Sequence, residues 1–315
     1  MHRRKIQLVG GTSYAVSLPK EWIKENSLSP KAELLVYEKN DRTLILSPHE
    51  VEHKSKDEIT INIDEHKGNV DQILFALYYI GFETITLFSK DDFSQDVRTR
   101  IRKTLTHMSG TEISHEEKNK ITVRVLLDIS KVQLDQVFYR ISLLIDSSLT
   151  NLMEGLNISE IRINENEIDR LYHLTSKMLS LSLIDSNVLH SSNLKNISLL
   201  PAHFLIAKKM ENLADNVKHL AEYLKKNRKE VAEHDVLDFV RTELSRSIDH
   251  LRNRESKRFE KAVESDIALI DKRIESLKDK IMQKYLSGML RQLSDIQQET
   301  VYISFYKRMI EERFV

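Results

Sequence analysis

Two nine-residue runs share one pattern of charged side chains. They are Glu165-Asn166-Glu167-Ile168-Asp169-Arg170-Leu171-Tyr172-His173 and Glu211-Asn212-Leu213-Ala214-Asp215-Asn216-Val217-Lys218-His219, both reading E-N-x-x-D-x-x-x-H. Each places a glutamate, an aspartate and a histidine at i, i+4 and i+8, on a helix face that drifts by about 40° per four residues. Two such faces brought together would gather Glu165, Asp169, Glu211 and Asp215 around a cation, with His173 and His219 as candidate imidazole ligands. Oxygen donors with an imidazole suit Fe, Mn, Zn or Mg rather than a soft metal. The competing reading is a solvated face, on which like charges four apart destabilise slightly and Arg170 and Lys218 serve as ion-pair partners. Neighbouring residues bear on the choice. Glu165 and Asp169 border the stripe Ile161, Ile168 and Tyr172, and Glu211 borders the small-residue row Ala207, Ala214 and Ala221, which lets another helix come close. Carboxylates at the rim of a helix contact give up their charge, find cations or bind a metal.

The elements that must position these groups are long helices. The chain has only seven glycines and four prolines, and beyond Gly155 only Pro201 and Gly288 interrupt it. The stripe Leu134, Phe138, Ile141, Ile145, Leu149, Leu152 and Leu156 has helical spacing. Further helices are expected over Glu160–Leu189, Pro201–Lys226, Asp235–Glu264, Asp266–Tyr285 and Ser287–Arg313. Six helices in two similar halves predict a pair of three-helix bundles (131–228 and 229–315), bordered by the charged stretch Asn227–Glu233. The second half holds Asp271 and Asp295 where the first has aspartates, but Ile267 and Arg291 where it has glutamates, so one motif-bearing bundle is expected.

Upstream, residues 50–130 alternate as β-α-β-α-β-β: strands near Ile59–Ile63, Thr84–Phe88, Thr111–Ser114 and Ile121–Leu127, helices near Val70–Ile80 and Phe93–His107. The expectation is a small α/β domain of ferredoxin-like kind. Residues 1–49 form a β-rich module: Arg4–Val9 and Tyr14–Leu18 around the turn Gly10-Gly11, a short helix Lys20–Glu25 after Pro19, and a hairpin of Ala32–Glu38 with Thr43–Ser47 around Asn40-Asp41. So few residues bury a weak core alone, which predicts that the module pairs with a partner chain. Trp22 is expected in that core.

Charge does not select a partner globally, because 48 Lys and Arg balance 48 Asp and Glu. Locally it does more. Residues 1–48 carry eight basic and five acidic side chains, and Arg3, Arg4, Lys5 and Lys20 gather at the glycine turn and the helix start. Doubled in a dimer, that cluster is a surface for phosphates on both sides of a symmetric site; the alternative is an ordinary solvated surface. The absence of cysteine excludes disulfides, thiolate metal sites and cysteine nucleophiles. With neither a signal-type apolar stretch nor a segment long enough to span a bilayer, the chain reads as cytoplasmic, without membrane insertion. No nucleophile–base arrangement is legible, so an enzyme in which a carboxylate-bound metal activates water is the weaker reading.

Two resemblances sharpen this. The run Arg4-Lys5-Ile6-Gln7, then Gly10-Gly11-Thr12-Ser13-Tyr14-Ala15-Val16-Ser17-Leu18-Pro19-Lys20-Glu21-Trp22, resembles the SpoVT-AbrB family of DNA-binding domains, which form swapped-hairpin dimers. The resemblance implies DNA contacts at Arg3, Arg4, Lys5, Thr12, Ser13 and Lys20. Met210-Glu211-Asn212-Leu213-Ala214-Asp215-Asn216-Val217-Lys218-His219-Leu220-Ala221-Glu222 and Asn166-Glu167-Ile168-Asp169-Arg170-Leu171-Tyr172 resemble the PhoU family, whose Glu-x-x-x-Asp helices bind metal clusters. It implies Glu165, Asp169, Glu211 and Asp215 as ligands and does not extend to the histidines. The order of the modules resembles archaeal PhoU-type regulators. The expectation is a mainly α, homodimeric, metal-binding regulator of phosphate uptake or related metabolism that binds DNA through its N-terminal module. The rival is an interaction protein that controls a phosphate transporter or sensor kinase without touching DNA.

Overall fold

Left-handed backbone at Gly10 (φ 62°) and Gly11 (φ 81°) folds β1 (Gln7–Val9) back onto β2 (Ser13–Ala15), antiparallel, with Gln7 opposite Ala15. Pro19, at φ −62°, launches the short helix α1 (Lys20–Glu25). A second antiparallel hairpin pairs β3 (Leu35–Glu38) with β4 (Leu44–Ser47). These elements come from a computed structural model, which describes residues 4–38, 44–48, 58–194, 196–231, 233–252 and 259–311. Arg3 and the expected turn Asn40-Asp41 lie outside the described residues. The chain divides into one unit up to Ser55 and another from Lys56 onward.

In the first unit none of residues 4–36 and 44–48 is buried. Ile6 is 72% exposed, Leu8 60% and Tyr14 77%, and Trp22, expected in a core, is only partly covered. A hairpin pair with such apolar strands on its surface does not close a core by itself.

The second unit begins with a four-stranded sheet. β5 (Glu58–Asn62) and β6 (Thr84–Phe88) run parallel, joined by α2 (Val70–Ile80). After α3 (Gln95–Thr106) come β7 (Thr111–Glu116) and β8 (Lys120–Val125), and β8 lies antiparallel between β6 and β7, giving the order β5-β6-β8-β7. The ferredoxin-like arrangement is not formed. That arrangement splits its β-α-β units, whereas here β5 and β6 are direct neighbours and the last two strands of the sheet form a β7–β8 hairpin. Leu74, Tyr78, Ile85, Leu87, Ile101 and Val123 fill the core under the helices. Gly110 has φ 70°, and a Cβ there would lie 2.4 Å from the Leu127 Cβ, so glycine answers both a left-handed turn and a close approach.

The remainder is helical: α4 (Leu134–Met153), α5 (Ile158–Ser182), α6 (Ser186–Ser191), α7 (Leu200–Asn227), α8 (His234–Arg252), α9 (Phe259–Glu275) and α10 (Lys280–Glu311). Helices on both sides of 228–233 share one apolar core that runs from Phe138 and Ile168 through Met210 and Val217 to Val240 and Leu293. Three boundaries differ from expectation. The helix expected over Glu160–Leu189 breaks at 183–185, where Asp185 accepts the Asn187 N–H and starts α6. The span Asp235–Glu264 is α8 followed by the start of α9, with residues 253–258 outside the description. The break expected near Ser287 instead falls at 276–279, where the Asp279 carboxylate accepts from Ile281 and Met282 N–H and caps α10. Gly288 sits inside α10. A Cβ on it would meet the Asn216 side chain at 2.8 Å, so this glycine lets α10 close on α7. No helix among the described residues is long and apolar enough to cross a membrane.

Candidate functional site

Ile161, Ile168 and Leu171 bury one side of α5, and Met210, Leu213, Ala214, Val217 and Ala221 bury the facing side of α7. The packed pair carries the predicted carboxylates on one shared face. Asp169 records the crowding most clearly. Burial, then the neighbouring charges of Glu165, Glu211 and Asp215, push its carboxyl up to about 7, with Lys218 opposing. The other three predicted ligands are therefore all near enough to act on Asp169.

Two lysines occupy the face. Lys218 donates to Glu165 and to Asp215 (2.9 Å), and Lys208 donates to Glu211 (2.7 Å). Burial would lower the Lys218 ammonium, but its two carboxylate partners override that and hold it at about 12. Glu211 stays above its usual value because burial outweighs Lys208. Arg170, the other expected partner, pairs instead with Glu167 (2.6 Å) on its own helix. Among the described residues no three His, Asp or Glu side chains converge as a ready cation site. A cation would have to take the place that the Lys218 ammonium holds between Glu165 and Asp215.

The histidines go elsewhere, which corrects their assignment as candidate ligands. Eight residues of helix accumulate a drift of about 80°, and this turns His173 off the carboxylate face toward α2. There its ring stacks on Phe75, centroids 3.8 Å apart, and its Nδ1 accepts the Tyr79 hydroxyl at 2.5 Å. Burial, with His107 and Lys208 nearby, lowers His173 to about 4, so it is neutral. His219 is exposed and stacks on Tyr285 of α10. In the second half, Asp295 is paired with Lys209 (2.6 Å).

Two residues that the motif does not contain complete the picture. Lys208 is one. The other is His107 at the end of α3, whose Nδ1 lies 3.9 Å from the Asp169 Oδ2. Burial lowers His107 despite the charge of Glu165. One turn beyond His173, Lys177 is 4% exposed, pushed down to about 8 by burial, and rests its ammonium 4.3 Å from the Tyr78 ring centre. Asp169, His173 and Lys177 thus run along α5 at successive i+4 steps against the sheet subdomain. Nothing in the sequence pairs α3 with α5, so His107 has no local signature.

At the N-terminal module, Arg4, Lys5, Thr12, Ser13 and Lys20 are all exposed around the β1–β2 turn and the start of α1. Beside them stand the uncovered apolar residues of both hairpins. Residues 7–53 match the MazE family model. That family is described as antidote-toxin recognition MazE, bacterial antitoxin. The match supports an AbrB-like module at this end and suggests a DNA-binding domain of antitoxin or regulator type. No curated protein and no solved structure matches the chain.

Proposed function

We propose that this chain is a homodimeric DNA-binding transcriptional regulator whose helical part, of PhoU type, binds a metal and relays the phosphate status of the cell. The observation that carries the DNA-binding part is the uncovered N-terminal module. Apolar strands left exposed among the described residues of the N-terminal unit find a core in the hairpins of a second copy, and that pairing doubles Arg4, Lys5 and Lys20 into one basic surface. A map of the genomic sites occupied by the protein in phosphate-rich and phosphate-poor cells tests the reading. Sites at phosphate-uptake genes whose occupancy changes between the conditions are expected. Occupancy that is absent, or that does not respond to phosphate, counts against it.

A second reading has its own support in the MazE match: the module pairs with a toxin-like protein, as that family's description says of its members. A partner that co-purifies through residues 1–55 and displaces DNA would favour it. Control of a phosphate transporter or sensor kinase without DNA contact rests on the PhoU resemblance alone.

For the metal, Glu165, Asp169, Glu211 and Asp215 are hard oxygen donors on one face, which fits Fe, Mn, Zn or Mg. When bound, such an ion supplies positive charge among the four carboxylates. In its absence Lys218 supplies that charge to Glu165 and Asp215. Lys218→Met keeps the aliphatic stem and removes the competing ammonium. Mn2+ or Zn2+ affinity, read by calorimetry, is expected to rise about tenfold, in line with the 1.4 kcal/mol per decade of binding. An unchanged or weakened affinity in the variant would mean that the lysine does not occupy a cation position.

A further inference from the structure

A small pocket opens where the first turn of α4 meets the segment after α6, the first turns of α7 and the last turn of α8. Its floor is apolar, with Phe138 and Leu194 buried. One of its polar groups is left unmet. Ser192 is 1% exposed, and its hydroxyl has no hydrogen-bond partner among the described residues. Leaving such a group unmet costs about 1–3 kcal/mol. His203 is buried against Phe138, and its Nδ1 is 2.7 Å from the Leu199 carbonyl oxygen, to which it donates.

Two opposite charges line the same pocket. The Asp135 Oδ1 accepts the N–H of Gln136 at 3.0 Å, and the Arg252 guanidinium lies 4.2 Å from the Tyr139 ring centre. Neither forms an ion pair among the described residues, with each other or with a third group. A simple anion would meet Arg252 but also the like charge of Asp135, and a simple cation would face the reverse conflict. One class of small molecule satisfies both ends and the apolar floor.

We propose that this pocket is an effector site for a zwitterionic α-amino acid with a short apolar side chain. Arg252 takes the carboxylate, assisted by the Ser192 hydroxyl. Asp135 takes the ammonium, and Phe138 and Leu194 receive the side chain. The pocket lies among helices from both sides of the 228–233 segment, so its occupant joins α4 and α7 to α8. The site is independent of the metal and phosphate reading above and would stand if that reading failed.

Calorimetric titration of the full chain with L-alanine and L-valine tests it, beside 3-methylbutanoate, isobutylamine and inorganic phosphate. At least one amino acid is expected to bind, with each single-charge analogue and phosphate at least about tenfold weaker, the loss of one charged hydrogen-bond set. Arg252→Gln and Asp135→Asn, both at solvent-accessible positions, are each expected to weaken the amino acid about tenfold or more without lowering the thermal midpoint. Failure of both amino acids to bind up to about 10 mM, an affinity worth only about 3 kcal/mol, overturns the proposal. So does an anion or phosphate that binds as tightly as the amino acid, or amino-acid binding that survives both substitutions.

Discussion

Replacing Arg4, Lys5 and Lys20 together by glutamine is expected to lower the DNA affinity of the full chain by about a thousandfold at 50 mM salt and to flatten its salt dependence. The magnitude follows from counter-ion release. Each phosphate neutralised contributes a slope of about −0.9 in log affinity against log salt, and three side chains per protomer make six contacts in a dimer. Removing them takes about five units from the slope. The three side chains are exposed and make no ion pair among the described residues, so their loss leaves both hairpins intact. Fluorescence anisotropy at several salt concentrations reads both quantities, and sedimentation of the same sample checks that the dimer persists. An affinity unchanged by the substitutions, with the slope intact, would mean that DNA is held elsewhere or not at all. Loss of the dimer together with binding would point to a structural role for these residues. Thr12→Ala or Ser13→Ala removes only neutral contacts and should leave the slope alone.

What the sequence revealed and what it concealed divide along physical lines. Local rules carried the strands and helices of residues 58–125, because each is short, alternating or capped, and punctuated by turn residues such as those around Gly81 and Gly110. The sheet order did not follow, since strand pairing is decided by distant contacts. Apolar periodicity found α4, α5 and α7, but it cannot see a break without glycine or proline, as at Asp185. The opposite error arose just before Gly288, where a break was expected between Tyr285 and Ser287, whereas α10 runs through and the glycine serves the close approach of α7. The carboxylate face was legible because i, i+4 spacing keeps Glu165 with Asp169 and Glu211 with Asp215. The i+8 histidines were misplaced by the same geometry carried one step too far. Lys208 and His107 were invisible for a further reason: one is an unremarkable lysine on a charged helix, and the other arrives from a different subdomain.

Asp169→Asn is expected to stabilise the metal-free protein above neutral pH, although it deletes a residue of the proposed site. The Asp169 carboxyl is held at about 7, against about 4 in an unfolded chain, so at pH 8 folding forces an ionised carboxylate into a crowded, partly buried place. A group raised in this way contributes stability that is fully present below about pH 4 and lost as the pH rises through about 7. Three units correspond to about 4 kcal/mol as a ceiling, and relaxation around a side chain that is 27% exposed reduces the expected gain to about 1–2 kcal/mol. His173 acts in the opposite sense. Held at about 4 instead of about 6.5, it contributes stability that is present above about 6.5 and lost as the pH falls toward 4. The two slopes oppose each other in the native protein between about pH 4 and 7. In the variant only the histidine slope remains, so the gain seen at pH 8 should vanish by about pH 5. Chemical denaturation of both proteins at the two pH values measures this directly. An equal gain at both, or a loss at pH 8, would mean that Lys218 already compensates the ionised carboxylate. If the predicted pattern holds, the native aspartate is retained at a cost in stability at the pH where a cation would replace its proton, and Mn2+ titration at pH 7 should then release protons in the native protein and fewer in the variant.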